Sequence, residues 1–126
     1  MHVVIEMYVL RIKRIYDEYE ESDGMRILVD ALWPRGISKE RAHLDLWDKA
    51  ISPTTSLRKA FNHEVDKYED FQKQYRQELI ENPHTQDFLK MVFDHLEKQP
   101  VTLLYGAKDT KHNQAVVLKE YILEEM

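Results

Sequence analysis

The sequence predicts an α/β fold, a small and mostly parallel sheet of three to four strands flanked by helices in three layers. Three observations predict it. The run Met25 to Val29 is apolar at Ile27, Leu28 and Val29 without alternation, as in a strand buried on both faces of a parallel sheet. A second such run, Val101 to Tyr105, lies far down the chain. Between and after them the apolar residues recur at helical spacing, so the order is strand, strand, helices, strand, helix.

The 126 residues are read as one domain spanning 1–126, long enough to bury a core without staples. There is no cysteine, which removes disulfides, thiolate nucleophiles and cysteine-based metal sites, and suits a reducing cytosol. The net charge of −5 denies the chain a global basic field for a phosphate backbone, so nucleic acid is not an expected partner. Glu6 interrupts the apolar N-terminal run Met1 to Arg11, and no cleavage site follows it. No apolar run approaches the roughly 20 residues that span a bilayer, so a cytoplasmic protein with no membrane partner is expected.

Val3 to Lys13 is β-branched and apolar, then alternates, and predicts the first strand. Asp17 to Gly24 reads as a solvated acidic loop, and Met25 to Val29 as the second strand. Pro34-Arg35-Gly36 reads as a turn, and Ser38 as the cap of a short helix through Ala42. Leu44, Leu46 and Trp47 form an apolar knot. Thr55 or Ser56 caps a helical turn through Leu57, Arg58 and Phe61. Glu64 to Glu81 is the clearest helix, with Val65, Tyr68, Phe71, Tyr75 and Leu79 on one face. Asn82-Pro83 stops it and opens the next, whose stripe is Phe88, Leu89, Val92 and Leu96. After the strand Val101 to Tyr105, Asp109 or Thr110 caps a last helix carrying Ala115, Leu118 and Ile122. The layering is Rossmann-like, but with three glycines there is no Gly-rich dinucleotide loop. The short link between the first two strands leaves two pairings open, parallel or an antiparallel hairpin.

Open α/β sheets bind ligands at the carboxyl ends of their strands. The second strand runs there into Asp30, Trp33 and Arg35, and the last into Tyr105, Lys108, Asp109, His112 and Asn113. Asp30 is a candidate catalytic acid or base, or else a turn residue paired with Arg26 or Arg35. Arg35 presents a guanidinium fork to carboxylate or phosphate, or else pairs with Asp30 or Asp45. Trp33 stacks on a ligand ring or packs as core, and Trp47 reads more firmly as core. Arg58, near a helix start, adds a cation for an anion, or is a solvated side chain. Asp109 and His112, three apart, can share a helix face as an oriented acid–base pair, or serve as a cap and a surface residue. The six histidines show no metal-ligand spacing, so neither metal nor cofactor is expected.

Four segments carry a family likeness: Val29 to Gly36 (V-D-A-L-W-P-R-G), Leu44 to Trp47, Ser56 to Phe61, and Val101 to Leu118 (V-T-L-L-Y-G-A-K-D-T-K-H-N-Q-A-V-V-L). In order and spacing they resemble the DUF488 family, in its short YeaO-like branch, over about Arg11 to Tyr121. The family is largely uncharacterised. The resemblance implies a single α/β domain and parallel first strands, with the crossover helix of longer relatives shortened to the acidic loop. Many relatives have arginine at the positions of Ala31 and Lys108, so one cation is missing here and another loses bidentate geometry. Some relatives carry a methyltransferase-type label, for which this chain offers no Gly-rich loop.

Three functions follow as expectations. The first is a pocket in which Arg35, Arg58 and Lys108 hold a small anionic ligand bearing phosphate or carboxylate. Asp30 and Asp109 would supply acid–base or metal-binding chemistry, in a hydrolase or transferase acting on a nucleotide-like substrate. The second is a non-enzymatic regulatory or interaction module, such as a dimer or adaptor, using the Tyr68, Phe71, Tyr75 face. The third and weakest is binding of nucleic-acid ends. Composition and spacing do not fix the oligomeric state.

Overall fold

A computed structural model describes residues 7–126. Four strands form one sheet: β1 (Leu10–Arg14), β2 (Met25–Leu28), β3 (Leu46–Trp47) and β4 (Val101–Tyr105), in the order β1-β4-β2-β3 with every pairing parallel. Five helices complete the fold: α1 (Lys39–Ala42), α2 (Thr55–Phe61), α3 (Tyr68–Glu81), α4 (Thr85–Leu96) and α5 (Gln114–Glu124). The α/β expectation holds, and the apolar knot supplies the fourth strand. The Val3 to Glu6 part of the first expected strand lies outside the described residues.

The hairpin alternative is overturned. β1 and β2 are parallel but not neighbours, because β4 lies between them, with Leu10 opposite Val101 and Met25 opposite the same residue on the other side. The segment 15–24 therefore crosses β4 rather than closing a tight turn. Side chains of that face stitch it down: Arg11 donates to Ser22 O at 2.9 Å, Lys13 to Glu18 O at 2.5 Å and Thr102 Oγ1 to Asp23 O at 2.7 Å. Gly24 ends the crossover at φ 66°, and a Cβ there would stand 2.0 Å from Pro100 O, so only glycine fits.

Strand alternation sends Ile27, Val29, Val101, Leu103 and Tyr105 to one face, where α3, α4 and α5 bury them. Leu28 and Leu104 point to the other, against Ile15, Ile37 and Ala42. That third layer is made of α1 and connecting segments, because the link between β1 and β2 holds only a 3-10 turn, Glu21–Asp23, and no α-helix. The loop is not wholly solvated: Asp23 is 2% exposed and pairs at 2.5 Å with Arg26, itself 1% exposed within β2.

Several boundaries shift for local reasons. Thr54, not Thr55 or Ser56, caps α2, accepting from Leu57 N at 3.3 Å. Val65 lies in a 3-10 turn ahead of α3 and is 55% exposed, so it leaves the helix stripe. Asn82 does not cap α4 but accepts from His84 N at 2.9 Å in the turn before it. Tyr68, Phe71 and Tyr75 are 7%, 3% and 1% exposed. They are core, not an interface, so the face proposed for a partner is already filled. Among the described residues no helix is long and apolar enough to cross a membrane.

Candidate functional site

Because all four strands are parallel, their carboxyl ends share one edge of the sheet. There β2 delivers Asp30 and β4 delivers Gly106 and Ala107, joined at the top of the ladder by Val29 N donating to Leu104 O at 3.0 Å. A cavity of about 360 Å³ opens at this edge, lined by Asp30, Trp33, Arg35 and Arg58 together with His63 and Gln114. Small-molecule sites occupy roughly 300–1,000 Å³. A larger cavity of about 430 Å³ lies beside the end of α3, but its charged lining groups are Glu78 and Glu81, and Glu78 is already held by Thr54 N at 2.9 Å. The smaller one carries the more varied chemistry.

Asp30 is the floor of the site. Its Oδ2 accepts from Gly106 N at 2.8 Å and its Oδ1 from Gln114 Nε2, so β2, β4 and α5 meet at one carboxylate. Burial pushes its pKa up, the bonds from Gly106 and Gln114 and the charges of Arg58 and His63 pull it down, and it settles at about 6. Neither alternative partner holds it, for Arg26 is committed to Asp23. Gly106 permits the close approach: a Cβ there would lie 3.1 Å from Asp30 Oδ2.

The two tryptophans fix the neighbouring turn. Trp47 Nε1 donates to Asp30 O and Trp33 Nε1 to Ile37 O, both at 2.7 Å, and the rings meet edge to face at 5.3 Å. Both indoles are thus partly buried, with Trp33 still on the cavity wall. Arg35 is exposed at the mouth, its carbonyl accepting from Tyr16 OH at 2.9 Å, while Asp45, its other expected partner, accepts instead from Arg26 N. Arg58 lies in the middle of α2, and its charge does not stand at an open helix start. Its Nη2 donates to Thr55 Oγ1 at 3.0 Å, and its buried Nε has no partner among the described residues.

The second cluster divides. Tyr105 points into the core and is 2% exposed, with its hydroxyl pKa raised by burial. Lys108 is exposed and outside the cavity lining. Asp109 caps no helix. Its Oδ1 accepts from Lys111 N and His112 N at 2.9 and 3.1 Å, and its Oδ2 meets His112 Nδ1 at 2.9 Å. Those backbone bonds, with His112, hold its carboxyl below the usual range despite some desolvation. The pair therefore stitches a turn rather than sharing a helix face. Asn113 is the cap of α5, accepting from Val116 N at 3.1 Å, because its extended backbone aims the side chain at that amide.

Two polar side chains of the cavity escaped sequence reasoning. Gln114 follows the cap and reads as an ordinary first-turn residue. His63 was visible only as a histidine without metal spacing; its left-handed backbone, φ 55°, belongs to the turn after α2. A further dyad, His84 Nε2 on Asp48 Oδ2 at 2.8 Å, ties the end of β3 to the start of α4 and lies outside this cavity. Among the described residues no group of three His, Cys, Asp or Glu could hold a metal ion.

A family model described as "Inactive DUF488-N3 subclade" matches residues 9–126. The chain is 52% identical to "Uncharacterized protein YeaO" of Escherichia coli (strain K12) over 113 residues, which is 90% of this chain and 96% of the relative. It is 26% identical, over 90% of this chain and 92% of each relative, to "Uncharacterized protein Rv3073c" of Mycobacterium tuberculosis (strain ATCC 25618 / H37Rv) and to "Uncharacterized protein Mb3100c" of Mycobacterium bovis (strain ATCC BAA-935 / AF2122/97). No solved structure matches. With a family model spanning nearly all of it and a relative identical at half of the aligned positions, the chain belongs to the DUF488 family.

Proposed function

We propose that the cavity at the ends of β2 and β4 binds a small molecule carrying a carboxylate or a phosphate, and that the chain holds this ligand without transforming it. The observation that carries the reading is Arg58: a guanidinium in a cavity wall whose Nε is buried and unpartnered among the described residues. A buried donor left empty costs about 1–3 kcal/mol, more when charged, and a negative charge in the cavity beside the Arg58 side chain would offset that cost by pairing with the guanidinium as a whole. Arg35 at the mouth supplies a second fork, and the Gly106 amide and Gln114 keep the Asp30 carboxylate turned toward the floor. The family description contains the word inactive, which favours binding over turnover. The Asp109–His112 pair is engaged in its own turn and does not line the cavity. The lack of cysteine suits a cytoplasmic setting.

The test is a thermal-shift panel of inorganic phosphate, sugar phosphates, nucleotides and carboxylates. An anion at a hundred times its Kd stabilises the native state by about 2.7 kcal/mol, worth on the order of 10 °C in a domain of this size. Arg58→Ala and Arg35→Ala should each weaken binding by about tenfold or more, since a hydrogen bond to a charged group contributes about 1.5–3 kcal/mol. A panel with no hit, or a hit unchanged in both variants, overturns the proposal.

A further inference from the structure

The cavity has an apolar side as well as a charged one. Leu32 lines it and is 68% exposed, the most exposed large hydrophobic side chain among the described residues. It is followed on the same wall by Trp33 and Pro34, and Ala107 lies across the strand ends from them. The surrounding turn is not short of places to bury a side chain, since Pro34 and Ile37 are both buried within it. Of the turn's apolar side chains Leu32 alone is exposed, at the mouth that Arg35 shares. The indole of Trp33 is locked by its bond to Ile37 O and by Trp47, so it presents a rigid surface that need not be ordered on binding. A single exposed leucine is ordinary on a protein surface. A leucine, a fixed indole and a proline lining a cavity that also holds two guanidiniums form a divided site, apolar on one part and cationic on the other.

Building on the anion-binding reading, we propose that the ligand is an organic anion with a flat apolar body, such as an aryl carboxylate or aryl phosphate. Its head engages Arg58 and Arg35, and its ring lies against Leu32 and Trp33. A bare anion would fill only the charged part and leave the leucine in water. An aromatic body removes both apolar surfaces from solvent, which is the principal driving force for such groups.

Isothermal titration with four probes separates this inference from the one beneath it: acetate, benzoate, inorganic phosphate and phenyl phosphate. The expected result is that benzoate binds at least about tenfold tighter than acetate, and phenyl phosphate at least about tenfold tighter than phosphate. Which aryl anion binds the tighter identifies the head group. Leu32→Ala, at an exposed position, should keep the wild-type melting temperature and lose most of the aryl advantage, while acetate and phosphate are unaffected. Arg58→Ala should weaken all four. Equal binding of aryl and bare anions, or an aryl advantage untouched in Leu32→Ala, overturns this inference and leaves the anion site standing. No binding of any probe overturns both.

Discussion

Arg26→Ala should be the most damaging single substitution outside the apolar core, lowering stability by about 3–5 kcal/mol. Arg26 sits inside β2 at 1% exposure, and its guanidinium is fully assigned: Nη1 to Asp23 Oδ2 at 2.5 Å, Nη2 to Ala42 O at 3.0 Å and Nε to His43 O at 3.2 Å. Tyr19 lies over the same group, its ring centre 5.2 Å from the guanidinium carbon. Alanine would strand the Asp23 carboxylate, 2% exposed, with Lys13 as its remaining cation. It would also strip donors from two carbonyls. Lysine restores the charge but not the fork, so Arg26→Lys should recover only part of the loss. Urea denaturation measures it, and a cost below about 1 kcal/mol would show that the network does not anchor α1 and the crossover to the sheet. Burial raises the Asp23 pKa, but the Glu20 amide and the Lys13 and Arg26 side chains more than offset this and hold it below its ordinary value. The wild-type network therefore contributes stability at neutral pH that is lost in acid, as the pH falls below the ordinary aspartate range.

Asp30→Asn should act in the opposite pH direction. The folded protein holds this carboxyl at about 6 against an ordinary 3.8, so between those values the native state binds more protons than the unfolded chain. Stability consequently falls as pH rises from about 4 to about 6, by up to about 3 kcal/mol for a shift of about two pKa units. Asparagine can still accept from Gly106 N, and its amide can face the Gln114 carbonyl after a flip of that side chain. The variant should be at least as stable as wild type at pH 7.5, less so at pH 4, and flat between. Ligand binding should follow the same coupling. An anion beside a carboxylate is repelled when that carboxylate is charged, so wild-type affinity for phosphate or a carboxylate should tighten as pH falls through about 6. Asp30→Asn should bind at pH 7.5 as wild type does at pH 5. Parallel pH profiles for the two proteins would sink the assignment of Asp30 to the cavity floor.

Much of the fold was legible because its signals are local. Ile27-Leu28-Val29 and Val101 to Tyr105 announced buried parallel strands, and the stripes Tyr68, Phe71, Tyr75, Leu79 and Phe88, Leu89, Val92, Leu96 announced α3 and α4. The order of the strands was not legible, since nothing local tells β1 that its neighbour will be β4 rather than β2. Arg26 was hidden for the same reason. In sequence it is a charge inside an apolar run, and only the fold of the acidic loop over it supplies Asp23. At the site, the residues beyond β2 reached the cavity as expected, because a strand end has one place to go. Those beyond β4 did not all follow. The turn 109–113 closes on its own hydrogen bonds, so Asp109, His112 and Asn113 serve backbone geometry, while Gln114, one residue further, reaches Asp30.

The placement of β4 between β1 and β2 has a consequence for the newborn chain. While the ribosome is still short of residue 101, β1 has no sheet partner and β2 has only the two-residue pairing with β3. The central seam of the sheet is thus the last of these four strands to be synthesised. The sheet zips in both directions only once Val101 to Tyr105 emerge, and any truncation before β4 leaves the edges of β1 and β2 open to pairing with other molecules.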